Sequence, residues 1–307
     1  MTESPRIVSL LPSATEIVCA LGFSDHLVGR SHECDFPEGL DDRPVCSSPR
    51  LNVDGTSNRI DDEVRDIVRR GLSVYDVRED VLKSLKPDFI VTQTQCEVCA
   101  VSEKDVERAV RDWTGARPNI ISLEPNLLED VWNDVRRVAD VLDARHEGGR
   151  VVDLMRSRMY AVKHKAAAIG EKPSVATIEW IDPLMSAGNW MPELIAMAGG
   201  ESLFGESGKH SPWLDWAALR AADPDVVLVI PCGFDLERTL QESKALERLD
   251  GWRELGAVRG GRCYAADGHH YFNRPGPRLA DSLEILAQIL HPTHFDFGHG
   301  ADRWRQF

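Results

Sequence analysis

The sequence predicts an α/β protein built from two lobes, and three observations support this fold class. The 307 residues exceed the length at which one hydrophobic core usually keeps growing, so we expect two domains of ~130–150 residues. Short apolar runs alternate with helical patterns at 6–125 and again at 173–290, which indicates a mostly parallel sheet in each part. Between them lies a helical segment, 126–172, in which residues 150–168 would form one helix of ~28 Å. That helix could join two lobes rigidly, or it could pack on a single sheet.

The first predicted lobe, residues 1–125, alternates strands with helices and closes in a strand at 119–123. Apolar runs rich in β-branched residues predict the strands, while Gly22 suits a helix C-cap and Ser102 a helix N-cap. The predicted strands are 6–11, 27–30, 88–92 and 119–123, and the predicted helices are 15–22, 79–85 and 102–113. In the helical segment that follows, only Gly148 and Gly149 break the pattern.

The second predicted lobe, residues 173–290, repeats the same layout. Its predicted strands are 174–180, 225–230 and 262–266, and its predicted helices are 192–198, 216–222, 236–249 and 279–290. Each lobe places a Pro-Asp pair directly before a buried strand, at 87–88 and at 224–225, which suggests equivalent positions in two similar lobes. Residues 291–307 form a C-terminal tail in which no periodicity predicts an element.

Composition excludes some classes of partner. Apolar and charged fractions of 42% and 28% are ordinary for a globular protein, and 36 basic against 50 acidic residues give a formal charge of −14. This charge argues against nucleic acid or an anionic membrane surface as a partner. Because no apolar run approaches the ~20 residues that span a bilayer, we expect no membrane insertion.

The N-terminal sequence and the cysteines predict a cellular location. Pro12, Ser13 and Thr15 interrupt the apolar run in which an export signal would need its uninterrupted hydrophobic region. The seven cysteines form no regular disulfide framework, which favours a reducing compartment. As the sequence stands we therefore expect a cytoplasmic protein, and a periplasmic or cell-surface one if the start is truncated.

The 267–278 loop, DGHHYFNRPGPR, is the strongest candidate for ligand contact. It lies between a predicted strand and a predicted helix, where ligands bind in open α/β sheets. Other strand-end loops are rich in aromatic residues too, and aromatic faces suit a flat or bulky organic ligand. The candidate ligand-binding residues from these loops are Trp180, Trp190, Trp213, His270, Tyr271, Phe272 and Arg274. Each aromatic could instead pack in a core, and on an extended chain His269 and His270 would point apart and not chelate one metal.

A thiol cluster is the only pattern that suggests catalysis or a metal. Cys96 and Cys99 form a C-x-x-C pair, and Cys34 with His32 lies in another loop of the same lobe. Three thiols and an imidazole could bind zinc, or iron, in a tetrahedral site. The thiols could equally be structural or a redox pair. A cytoplasmic metal- or thiol-dependent enzyme is therefore an alternative function that rests on this cluster alone.

Six segments of the chain resemble a known family. They are RIVSLLPSATEIVCALG, LVGRSHECDFP, VLKSLKPDFIVTQ, MSAGNWMPELIAMAGGESLF, PWLDWAALRAADPDVVLVIPCG and YFNRPGPRLADSLEIL. In this order and spacing they resemble the substrate-binding proteins of metal-chelate ABC importers, and most closely the cobalamin-binding proteins. The resemblance extends from Arg6 to about residue 290.

The resemblance implies two Rossmann-like lobes joined by a single long helix, with the ligand in the cleft between them. It implies a non-catalytic protein that needs no cofactor, binds a corrinoid or related metal chelate, and works with an ABC permease. The family's ligand positions fall on Glu33, Tyr75, Trp180, Trp213, His270, Phe272 and Arg274. Glu33 and His270 differ from the family's pattern, and an imidazole at 270 could ligate the cobalt of a corrinoid or the iron of a heme. A heme or siderophore binder is therefore a further alternative.

Overall fold

A computed structural model describes residues 4–70, 72–94, 101–110 and 117–307. The chain divides into two compact units. The first unit comprises the chain up to Gly55, Arg59–Pro125 and Glu129–Val152, and the second comprises Thr56–Asn58, Asn126–Leu128 and Asp153–Phe307. Each unit is an α/β structure, as the alternation of patterns predicts.

The helices and strands up to residue 167 follow the predicted order, with one added helix and one added pair of strands. They are β1 (Ile7–Ser9), α1 (Pro12–Ala20), β2 (Leu27–Arg30), β3 (Ser47–Pro49), α2 (Ser57–Arg69), β4 (Tyr75–Val77), α3 (Glu79–Leu85), β5 (Phe89–Gln93), α4 (Glu103–Val110), β6 (Asn119–Leu123), α5 (Leu128–Val141) and α6 (Arg145–Ala167). Strands β1, β2, β5 and β6 form a parallel sheet in the order β2-β1-β5-β6. The added strands β3 and β4 pair antiparallel in a sheet of their own.

The core of the first unit lies against this parallel sheet. Val8 in β1 and Ile90 in β5 are fully buried, together with Leu82 of α3 and Val106 of α4. Because strands of a parallel sheet are covered on both faces, they appear in the sequence as continuous apolar runs. This property explains why their positions were predictable.

The second unit contains a six-stranded mixed sheet. Its elements are β7 (Ser174–Trp180), β8 (Met185–Ser186), α7 (Met191–Met197), β9 (Glu201–Leu203), α8 (Trp216–Ala222), β10 (Val226–Val229), α9 (Leu236–Ser243), α10 (Gly256–Arg259), β11 (Cys263–Ala266), α11 (Leu279–Leu290) and β12 (Trp304–Gln306). The central strands β7, β10 and β11 are parallel, with β10 in the middle. Strands β8 and β12 are antiparallel to their neighbours.

The C-terminal tail contributes β12, which the sequence did not predict. Trp304 pairs with Ala266 and Gln306 pairs with Tyr264, so the tail forms the edge of the sheet beside β11. The tail therefore reaches the strand from which the 267–278 loop continues.

Helix α6 contains a correction to the sequence prediction. It runs 23 residues without interruption, through Gly148 and Gly149, which were expected to break it. A Cβ atom on Gly148 would lie 2.5 Å from the Cβ of Ala139, so the glycine permits close packing of α6 against α5. Tertiary packing here outweighs the low helix propensity of glycine. The division between the two units falls within this helix, and its role as the connection between two lobes stays a prediction.

Within the described part of the chain, no helix is both long enough and apolar enough to cross a membrane.

Candidate ligand-binding site

The carboxyl ends of three parallel strands bring the candidate residues of the second unit together. Trp180 ends β7, Phe234 follows β10, and the 267–278 loop follows β11. The rings of Trp180 and Phe234 lie 5.3 Å apart, and the carbonyl of Phe234 accepts a hydrogen bond of 2.9 Å from the backbone N–H of His269. The guanidinium of Arg238 in α9 lies 3.8 Å from the centre of the Phe234 ring, a cation–π contact. These contacts place the half-buried Trp180 ring and the Arg238 guanidinium at the edge where ligands bind in α/β sheets, both in contact with the Phe234 ring, which is only 2% exposed.

Asp267 fixes the orientation of His270. Residues Gly268–Phe272 form one turn of π-helix, and Asp267 caps it, accepting a hydrogen bond of 2.8 Å from the backbone N–H of His270. The second carboxylate oxygen lies 2.7 Å from Nδ1 of the same histidine. A Cβ on Gly268 would lie 2.3 Å from the carbonyl oxygen of Pro231, so glycine is required for this close approach. The carboxylate therefore selects one ring orientation and directs Nε2 away from Asp267.

His269 and His270 do not point apart as an extended chain would require. The turn is helical, and the two ring centres lie 4.7 Å apart in an edge-to-face arrangement. Nη2 of Arg274 lies 2.6 Å from Nε2 of His269. Because a guanidinium can only donate, Nε2 accepts and the ring is in its Nδ1-protonated form. Arg274 is only 4% exposed, so its contact surface toward a ligand is small.

The remaining aromatic residues of the 267–278 loop separate into two groups. Tyr271 is half-buried between the guanidinium groups of Arg278 and Arg303, at 5.4 and 5.2 Å from its ring centre. Burial raises the pKa of Tyr271, against the lowering effect of these two cations. Phe272 is 0% exposed, and its carbonyl accepts a hydrogen bond from Nε1 of the buried Trp190. We therefore assign Phe272 and Trp190 to the core that supports the loop and not to ligand contact, because their rings point inward.

Trp213 has a side chain suited to ligand contact. It is 60% exposed, although backbone hydrogen bonds of 2.9 Å hold its neighbours Pro212 and Leu214 to Ser186 and Leu184. It forms a β-bridge with Met185, and the neighbouring Ser211 donates a hydrogen bond of 2.8 Å to Glu179. A large exposed aromatic ring on a well-supported backbone is typical of a binding surface.

The candidate residues of the first unit lie around the loop after β2. His32 contacts Ser47 through Nδ1 at 2.9 Å, and its ring centre lies 5.4 Å from that of Tyr75, which is buried. Burial lowers the pKa of His32 to about 4, assisted by the positive charge of Arg30. Glu33 is half-buried in the same loop, and its backbone N–H donates to Ser31.

The predicted thiol site is incomplete in the described chain. Cys34 is buried, and the hydroxyl of Thr15 donates a hydrogen bond of 2.9 Å to its sulfur. His32 and Cys34 are therefore both engaged by neighbouring hydroxyl groups. Cys96 and Cys99 lie outside the described residues, so zinc or iron at these thiols stays a prediction.

Four functional candidates were missed by the sequence analysis: Phe234, Arg238, Asp267 and Arg303. Phe234 follows a predicted strand, so the rule that selected the other loops applies to it as well. The roles of Asp267 and Arg303 depend on hydrogen bonds and ring contacts that no spacing in the sequence indicates.

Comparisons with known proteins place this chain in a family. The profile of the family described as "Periplasmic binding protein" matches residues 7–269. The chain is 23% identical over 299 residues to the uncharacterized ABC transporter substrate-binding lipoprotein YvrC of Bacillus subtilis, covering 95% of this chain and 82% of that protein. It is 22% identical over 296 residues to a vitamin B12-binding protein of Vibrio cholerae, covering 93% and 88%. Among solved structures, the periplasmic heme-binding protein RhuT of Roseiflexus sp. RS-1 superposes with a TM-score of 0.68 at 23% identity, covering 95% and 99%.

These comparisons confirm the predicted resemblance and fold, and they correct the predicted location. The expectation of a cytoplasmic protein is wrong, because the relatives are a lipoprotein and periplasmic proteins, which points to an exported protein. Proteins of this kind bind solutes and are not enzymes, and the alternative of a cytoplasmic enzyme finds no support. The match over residues 7–269 shows that the chain belongs to the periplasmic binding protein family.

Proposed function

We propose that this chain is the non-catalytic substrate-binding component of an ABC importer, and that its ligand is a planar metal chelate, a corrinoid or a heme. The names of its relatives support the ligand class, since they include vitamin B12-binding and heme-binding proteins. The observation that carries the proposal is the His270 imidazole, which Asp267 orients at the carboxyl edge of the sheet. The partner that receives the ligand would be an ABC permease.

The second unit supplies three kinds of contact that such a ligand requires. An imidazole whose Nδ1 is held by a carboxylate can ligate cobalt or iron through Nε2, and the carboxylate strengthens it as a ligand. The exposed ring of Trp213 and the ring of Trp180 offer flat apolar faces to a macrocycle. Arg238 offers a cation to carboxylate or amide groups at the edge of the macrocycle.

Visible spectroscopy tests this proposal directly. The purified protein would be titrated at micromolar concentration with hydroxocobalamin, cobinamide, hemin and a ferric siderophore. We expect saturable binding of a corrinoid or hemin with a shift of its absorption bands. The variant His270→Ala should change the bands of the complex and weaken affinity by at least about tenfold, since it removes the metal ligand.

His294→Ala is the matched control, because His294 is an exposed histidine of the tail whose ring nitrogen contacts Thr293. It should leave both the bands and the affinity unchanged. Binding of the siderophore alone, or His270→Ala spectra identical to the wild type, would contradict the proposal.

A further inference from the structure

We propose that Arg303 is a positioning residue of the 267–278 loop, and that the C-terminal tail, residues 291–307, holds this loop in its ligand-binding geometry. The inference rests on the proposed function in one respect, which is that the 267–278 loop binds the ligand. Nothing in the sequence pattern of the tail indicates such a role.

Arg303 contacts the loop at two points. Its guanidinium lies 5.2 Å from the centre of the Tyr271 ring, and its carbonyl accepts a hydrogen bond of 2.9 Å from the backbone N–H of Asp267. Asp267 is the residue that orients His270. Directly after Arg303, Trp304 pairs with Ala266 at the end of β11. The tail thus supports both the residue that orients the imidazole and the aromatic ring beside it.

Arg303 is itself held by a relay, a chain of hydrogen-bonded side chains that passes through the His299 side chain and the buried Glu284. Nη1 of Arg303 lies 2.5 Å from Nδ1 of His299, and Nε2 of His299 lies 2.9 Å from a carboxylate oxygen of Glu284 in α11. Because the guanidinium can only donate, Nδ1 of His299 accepts, and Nε2 carries the proton donated to Glu284. The His299 side chain is 8% exposed, so water competes little for these contacts.

The relay ends on helix α6. Nε of Arg158 donates a hydrogen bond of 3.0 Å to Glu284, and Nη2 of the same arginine lies 2.5 Å from Asp281. Burial acts to raise the pKa of Glu284, but the hydrogen bonds from His299 and Arg158 outweigh it, and the net pKa is lowered. Glu284 is therefore a carboxylate that accepts from both sides, and the geometry of Arg303 is fixed by α6 and α11 together.

The first test compares two arginines of the tail. Arg303→Gln removes the cation beside Tyr271, whereas Arg305→Gln removes the 2.6 Å ion pair of Arg305 with Glu237 in α9. Hydrogen exchange of the backbone amides at 268–274 is measured in the ligand-free protein, together with the titrations described above. Arg303→Gln should speed exchange in the loop by about tenfold and weaken ligand affinity by about tenfold, whereas Arg305→Gln should change neither by more than about twofold.

A second pair of variants separates positioning from general loss of stability. In His299→Asn the amide oxygen lies near the place of Nδ1 and can still accept from Arg303, but the bond to Glu284 is lost, so loop exchange should rise by only about threefold. In His299→Gln the amide lies near the place of Nε2, so the link to Arg303 is lost and loop exchange should rise by about tenfold.

Equal loop exchange in Arg303→Gln and Arg305→Gln, or in the two His299 variants, would overturn the inference. If the wild type binds none of the ligands, the proposed function fails, and the exchange measurement still decides the positioning role.

Discussion

His32 is a half-buried imidazole whose protonated form the surrounding structure disfavours, and we therefore expect it to affect stability in acid. The folded-state pKa is about 4, against 6.5 for the ordinary group. Between these values the unfolded chain binds a proton that the folded chain does not, so stability is complete above about pH 6.5 and is lost as pH falls toward 4. The full pKa shift of His32 would correspond to about 3 kcal/mol of unfolding free energy. Because solvent screens this partly exposed site, we expect a loss of about 1–2 kcal/mol.

The variant His32→Asn tests this, since asparagine does not titrate and can still reach Ser47. Urea unfolding at pH 7 and at pH 4.5 should show a smaller loss of free energy of unfolding in the variant than in the wild type. His146→Asn is the control, because the His146 side chain is 90% exposed. An equal loss in all three proteins would show that His32 titrates normally.

At the residue level the sequence predicted positions better than orientations. The strand-end rule selected His270, which follows β11, and Trp213, which lies between β9 and α8, and their contact with a ligand stays a prediction. The strand-end rule could not show that Phe272 points inward, because neighbouring side chains of a π-helical turn face different sides. Phe234 and Trp180 form their contact only once β10 lies beside β7, which is a property of the assembled sheet.

Helix α6 contains two adjacent glycines with opposite environments. A Cβ on Gly148 would lie 2.5 Å from that of Ala139, whereas a Cβ on Gly149 would meet no atom of the described structure within 4 Å. Gly149→Ala should therefore raise the free energy of unfolding by about 0.5–1 kcal/mol, because alanine is the better helix former. Gly148→Ala should lower it by about 1–3 kcal/mol through overpacking against α5.

Chemical unfolding of the two single variants measures both effects, and each variant controls for the other. A gain in stability from both substitutions would show that α5 can move aside at little cost, and that helix propensity alone decides at this point.

Among the elements, the parallel strands that form apolar runs were predictable, whereas β3, β4, β8, β9 and β12 were not. Val226–Val229 in β10 is buried at every position, so its apolar run is unmistakable in the sequence. The edge strand β12 has the sequence WRQ, with two half-buried side chains, one exposed side chain and no apolar run. Strands β3 and β4 are three residues each, too short to show a period. Their pairing is determined by tertiary contacts.

For the whole molecule, length and alternation predicted the α/β class, whereas the predicted location was wrong. The cysteines form no regular disulfide framework, and from this we predicted a reducing compartment. That inference failed because a protein can keep its thiols unpaired in any compartment. Of the described cysteines, Cys34, Cys46 and Cys263 are buried free thiols. Burial protects a thiol from oxidants without any disulfide, so such residues are compatible with an oxidising compartment.

This protection can be measured across the molecule. Burial raises the pKa of Cys46 to about 11 and that of Cys263 to about 12, so both are almost entirely protonated near neutral pH. We expect iodoacetamide to leave these two cysteines unmodified in the folded protein and to modify them fully in urea, as determined by peptide mass spectrometry. Cys232, which is partly exposed, should react in the folded protein and serves as the internal control. Modification of Cys46 or Cys263 at the rate of Cys232 would contradict the buried environment.

The pairing of β12 with β11 also has a consequence for the order of folding. Strand β12 follows every other strand of its sheet in the chain, and β11 precedes it by nearly forty residues. Until residues 304–306 have been synthesised, β11 has an unpaired edge and the sheet is open to association with other chains. The sheet of the second unit is therefore complete only when its last strand has arrived.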